Sequence, residues 1–204
     1  MKLLNHLDLF DDFSDNLGEN DAIYISDSAL ATNETRKINV PAKTQKRISK
    51  LILDYYSAIR FYKLKWRYGK SDEIMGTINI IPLKDSLKDT RPGYMHNLWM
   101  LDYFIPEACI GFFMAKPGQK PNDELYYLYF EDEPEGLNVD MDGYMQLLYK
   151  TRGFAYWQLA LLFLQTRRKR KVSGVEEFKK YMPIIFPDFK WDEFVALYEQ
   201  VKLR

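Results

Sequence analysis

Between Ile105 and Trp157 the chain reads as two aromatic strands followed by a long helix. Within that span, eight acidic and no basic side chains lie from Pro121 to Tyr149. A stretch that pairs apolar strands with one sign of charge constrains the fold strongly. The strands need a partner layer to cover their apolar faces, and the carboxylates must stay at an edge or a rim. Cys109 to Met114 is short, continuous and apolar, as expected of a central strand, and Leu125 to Phe130 pairs back across a Pro- and Gly-containing loop. Of Tyr126, Tyr127 and Tyr129, at least one ring must face outward.

Upstream, Tyr62, Leu64, Trp66 and Tyr68 alternate with Lys63, Lys65 and Arg67, the pattern of a half-buried antiparallel strand with a basic outer face. Gly69 to Asp72 supplies a turn. Ile74, Gly76, Ile78 and Ile80 form one face of the return strand, which stops at Pro82. Before this hairpin, Ile48, Leu51, Ile52, Tyr55, Tyr56 and Ile59 follow helical spacing, so a helix is predicted to begin near Pro41. Ala22 to Ile25 reads as a short strand and Ser26 to Asn39 as a polar connector. After Asp140, Tyr144, Leu147, Leu148 and Thr151 share one side of a helix that is expected to kink at Gly153. Ser173-x-x-Glu176 is a capping-box pattern opening a further helix, Pro183 and Pro187 bound a turn, and Trp191, Phe194, Val195, Tyr198 and Val201 mark a final helix.

The expected class is therefore α+β, with a mostly antiparallel sheet of about five to six strands flanked by helices. Residues 1–40 form an N-terminal extension, 41–165 the main domain and 166–204 a helical extension packed on that same domain. A chain of 204 residues, 47% hydrophobic, supports one such core. Lys+Arg and Asp+Glu are both 29, which argues for neither nucleic acid nor an anionic membrane as a partner. The start of the chain lacks the continuous apolar core of a secretory signal, and the most apolar run, Phe154 to Leu164, falls short of a spanning helix. With a single cysteine, Cys109, the simplest placement is cytoplasmic.

Catalytic chemistry finds little to work with. The only histidines are His6 and His96, and the nucleophile-elbow, H-E-x-x-H, P-loop and dinucleotide-binding patterns are absent from the sequence. Cys109 lies in an apolar strand, where burial would leave its thiol inert. Asn138-x-Asp140-x-Asp142-Gly143 matches the first half of a calcium loop, but the twelfth position, which should carry a bidentate Glu, is Tyr149. The plainer reading has Asp140 or Asp142 capping the following helix. The basic run Arg167 to Lys171 reads as a solvated helix end favoured by the helix dipole. No catalytic residue, metal ligand or cofactor is expected. The acidic stretch carries two readings. It is either a polar loop, or Asp123, Glu124, Glu131, Asp132, Glu133 and Glu135, with Tyr127 as an aromatic anchor, form a docking edge for a basic protein.

The order of features resembles the SUKH superfamily, which includes bacterial immunity proteins and fungal regulators of cell-wall synthesis. The resemblance rests on Ile48 to Tyr56 before Leu64-Lys-Trp66, then Gly76 to Leu83, Asp102 to Phe113, Leu125 to Phe130, Gly143 to Leu148 and Arg152 to Gln158. It covers about residues 40–165. Where members usually carry an Asn-Gly turn after the first helix, this chain has Ile59-Arg60. The resemblance implies an antiparallel sheet flanked by helices and a non-enzymatic role, commonly binding and blocking a polymorphic toxin that is often a nuclease. The alternative it implies is a regulatory or scaffolding protein without a toxin partner. It supplies no catalytic motif to transfer.

Overall fold

The computed structural model describes residues 20–32, 48–70, 73–87, 97–114, 120–130, 132–166 and 173–204, together with Phe13, Leu17, Gly18, Ala42 and Lys46. Seven antiparallel strands follow one another across a single sheet in sequence order. They are β1 (Ile23–Thr32), β2 (Ile59–Tyr68), β3 (Met75–Ile80), β4 (Leu98–Ile105), β5 (Ala108–Phe113), β6 (Leu125–Tyr129) and β7 (Glu135–Gly136). The described helices are α1 (Lys50–Ala58), α2 (Leu83–Ser86), α3 (Met141–Thr151), α4 (Gln158–Thr166), α5 (Ser173–Ile185) and α6 (Trp191–Val201). The α+β class holds, with one strand more than the upper expectation.

The alternation read in β2 is the observed one: Tyr62, Leu64 and Trp66 are buried while Lys63 and Lys65 are exposed. β1 extends well past Ile25, because a terminal strand pairs on one side only and its polar side chains can reach solvent. Asp27, on that supposed connector, pairs with Lys63 of β2 at 2.5 Å. The additional strand is β7, only two residues long, held against Tyr126 and Tyr127.

Helix α1 does not run on continuously from Pro41, a residue outside those described. Ser49 has extended backbone (φ −65°, ψ 156°), and its Oγ accepts from the Ile52 N–H at 3.3 Å, so a new helix starts there. Nor is α3 merely kinked. It stops at Thr151 with Arg152 in the left-handed region (φ 52°). Residues 153–155 then run alongside β3, where the Thr77 N–H donates to the Gly153 carbonyl and the Ala155 N–H donates to the Met75 carbonyl. This insertion occupies one end of β3. β4 meets the other end, with Ile80 opposite Asp102. Pro183 lies inside α5 rather than at its boundary. It sits in the last turn, so the bond it forgoes to the Lys179 carbonyl lies at the helix end.

The larger apolar cluster joins α1, one face of the sheet and helices α3 to α6. A smaller one, Leu98, Met100, Cys109 and Leu128, uses alternate residues of β4 to β6. β5 contributes to both, with Ala108, Ile110 and Phe112 in the first and Cys109 in the second, which accounts for its unbroken hydrophobicity. Val175, Phe178 and Met182 of α5 and Phe194 and Tyr198 of α6 belong to the same cluster as Trp66 and Tyr144.

Candidate binding cleft beside strands β6 and β7

Because the 153–155 insertion follows β3, the chain must turn sharply to reach α4. It does so at Tyr156, a non-glycine residue with φ 63°. That turn delivers the Tyr156 side chain to a cleft of about 410 Å³, lined also by Tyr127 and Tyr129 of β6, Asp132, Glu135 of β7, Leu159 of α4, and Gly174 and Glu177 of α5. Gly174 lets α5 approach closely, since a Cβ there would lie 3.1 Å from Tyr156 Cβ and 3.2 Å from Leu159 Cδ1.

Three tyrosines and three carboxylates line this cleft, and among the described residues no basic side chain does. Tyr127 is 4% exposed, its ring packed 6.5 Å from that of Phe104. Among the described residues nothing hydrogen-bonds its hydroxyl. Burial raises its pKa well above that of an ordinary phenol, and Tyr156, Tyr129 and Glu135 push in the same direction. The hydroxyl therefore stays protonated, able both to donate and to accept. Burial also raises Tyr156, helped by Glu107, Tyr129 and Glu177. At the rim, Tyr129 and Phe130 pack edge to face at 4.7 Å, and both are exposed, at 39% and 53%. Phe130 holds φ 48°, fixed by its N–H donating to the Glu107 carbonyl at 2.7 Å. Two bulky residues in the left-handed region, Phe130 and Tyr156, thus flank one cleft. Such strain persists where surrounding structure imposes it and clusters at functional sites.

The residues singled out in the sequence part company here. Tyr127, Asp132 and Glu135 converge on the cleft. Glu124 does not: Oε2 accepts from the Tyr126 hydroxyl at 3.1 Å and Oε1 from the Asn138 N–H at 3.0 Å, which pins the strand to its neighbouring turn. Asp123 and Glu133 are exposed and do not line the cleft, and Glu131 is outside the described residues. Sequence reading missed Tyr129, Tyr156, Leu159 and Glu177. The outward ring required of β6 pointed to Tyr129, whereas Glu177 and Tyr156 arrive through helix packing that no local pattern encodes.

Of the other weighed positions, Asp140, Asp142 and Cys109 are structural, while His6, His96 and the run Arg167 to Lys171 lie outside the described residues. Asp140 caps α3, its Oδ1 accepting from the Gly143 N–H at 2.9 Å, and Asp142 accepts from Gln146 Nε2 at 3.0 Å. Cys109 is fully buried. Among the described residues no group of three or more His, Cys, Asp or Glu side chains is placed to hold a metal.

Asp102, unremarked in the sequence, is wholly buried within β4. Its Oδ1 accepts from the Asn79 N–H and its Oδ2 from the Tyr144 hydroxyl, both at 2.8 Å, and Gln158 Nε2 donates to that hydroxyl at 3.2 Å. Burial raises the carboxyl to about 6, partly offset by the two hydrogen bonds it accepts. The carboxylate substitutes for a ladder bond where the insertion displaces β4 from β3.

No family model, curated protein or solved structure matches the chain. Among the described residues no helix is long and apolar enough to cross a membrane.

Proposed function

We propose that the chain is a non-enzymatic protein-binding module, an immunity protein that binds and neutralises a cognate toxin by covering its surface. The observation that carries this reading is the cleft of three tyrosines and three carboxylates beside the exposed Tyr129–Phe130 pair. Aromatic anchors in a pocket are the usual centres of protein–protein binding energy, and an acidic surround selects a basic partner and speeds its arrival. A nuclease, whose own surface must attract phosphate, fits that charge. The series of residues resembling the SUKH superfamily supports the same class of role.

Co-expression with the product of the adjacent gene tests it. The neighbouring product should kill alone and be tolerated beside this chain. A neighbour that is harmless alone, or still lethal in the pair, removes the immunity reading for that pair. Replacing Asp132, Glu133 and Glu135 by Lys should slow association about tenfold or more and flatten its salt dependence. Unchanged association would remove the cleft from the interface.

A further inference from the structure

We infer that the cleft is built to receive a single arginine side chain presented by the protein partner. This deepens the proposed function and rests on it for the identity of the partner, though not for the chemistry of the cleft.

Tyr127, Tyr129 and Tyr156 supply aromatic rings, and Asp132, Glu135 and Glu177 supply carboxylates, around the same space. A guanidinium is planar, remains charged, stacks on aromatic rings and donates in several directions at once, so it can satisfy both kinds of lining group together. An ammonium is compact and strongly hydrated, and it uses the rings less well. A neutral guest would draw carboxylates away from water without compensating their charge. Leu159 gives the methylenes of an arginine stem an apolar surface.

A second, independent feature points to a guest. Tyr127 is more than nine-tenths buried at 4% exposure, yet its hydroxyl has no hydrogen-bond partner among the described residues and it lines the cleft. The ring is packed away while the residue lines the cleft, so a donor arriving from a guest can reach that hydroxyl. The strained backbone of Tyr156 and Phe130 holds the surrounding rings in place before any guest arrives.

The test uses the isotope-labelled full chain and three small probes: the N-acetyl methylamides of arginine, lysine and citrulline, the last a neutral isostere of arginine. The arginine compound should shift the ring signals of Tyr127, Tyr129 and Tyr156 and the methyls of Leu159 in a saturable way. Citrulline should bind at least about tenfold more weakly, with lysine between them. Glu177→Gln and Tyr129→Leu, both at exposed positions, should each weaken arginine about three- to tenfold without changing the thermal midpoint.

Equal binding of citrulline, tighter binding of lysine, or shifts that map elsewhere would overturn the inference. So would binding that appears only after Arg167 to Lys171 are replaced by serine, since the chain's own basic run would then be the occupant. If the arginine compound fails while cleft charge reversal still abolishes protection from the toxin, this inference falls and the proposed function stands. Arginine binding without protection leaves the cleft chemistry and removes the immunity role.

Discussion

Gly76 of β3 stands opposite Trp66 of β2, and a Cβ at that position would lie 2.2 Å from the indole Cε2 and Nε1. The indole cannot easily retreat, because its Nε1–H donates to the Arg152 carbonyl at 2.7 Å and its ring packs against Phe154 and Phe186. Gly76→Ala should therefore cost about 3 kcal/mol through overpacking, read as a lower urea midpoint together with altered tryptophan emission. Asp102 makes a second prediction. Its carboxyl titrates near 3.8 when unfolded and about 6 when folded, so between those values the native state holds the extra proton. Stability from this group is thus greatest at the acid end and falls as pH rises through that window, by about 3 kcal/mol in total. Urea unfolding of wild type and Asp102→Asn at pH values spanning the window isolates it, because other carboxylates affect both proteins alike. Wild type should lose ground to the variant as pH rises, and a constant difference would refute the assignment.

At the scale of elements, periodicity was informative wherever one element met one layer. The basic outer face of β2, the hairpin with β3 and the buried side of α1 were all legible, because each depends on spacing alone. The breaks were less so. Ser49 starts a helix inside a run whose apolar spacing is unbroken, and that choice shows only in its extended backbone. The stop after Thr151 depends on residues 153–155 finding hydrogen bonds on β3, a partner about 75 residues away in the chain. The candidate cleft inherits this limit: its β6–β7 side could be read from the acidic run, while Tyr156, Leu159 and Glu177 depend on that distant insertion. The cap itself is testable. Ser49→Ala should destabilise the protein by about 1 kcal/mol, with Ser49→Gly losing only a few tenths, as measured by thermal or urea unfolding.

Taken whole, the molecule balances its charges, 29 against 29, yet concentrates carboxylates at one cleft. Neutral overall and acidic locally, it can attract a basic partner without the self-repulsion of a uniformly acidic protein. The two last helices are integral to the core. Phe178 alone packs against Phe154, Phe189, Trp191 and Phe194. Deleting residues 167–204 would strip that contact set from one face of the sheet and should leave no cooperative thermal transition by circular dichroism. A truncated chain that still melts sharply would show the sheet to be self-sufficient.

The strictly sequential strand order has a consequence for how the protein is made. Each strand meets its neighbour as it leaves the ribosome, so hydrogen bonding can keep pace with synthesis. The closing contacts run the other way: Asn20 Nδ2 reaches the Ile185 carbonyl at 3.1 Å, and the Leu203 N–H reaches Asn138 at 2.8 Å. A nascent chain can therefore carry a nearly complete sheet with one bare oily face, in need of chaperone cover until α6 emerges to seal it.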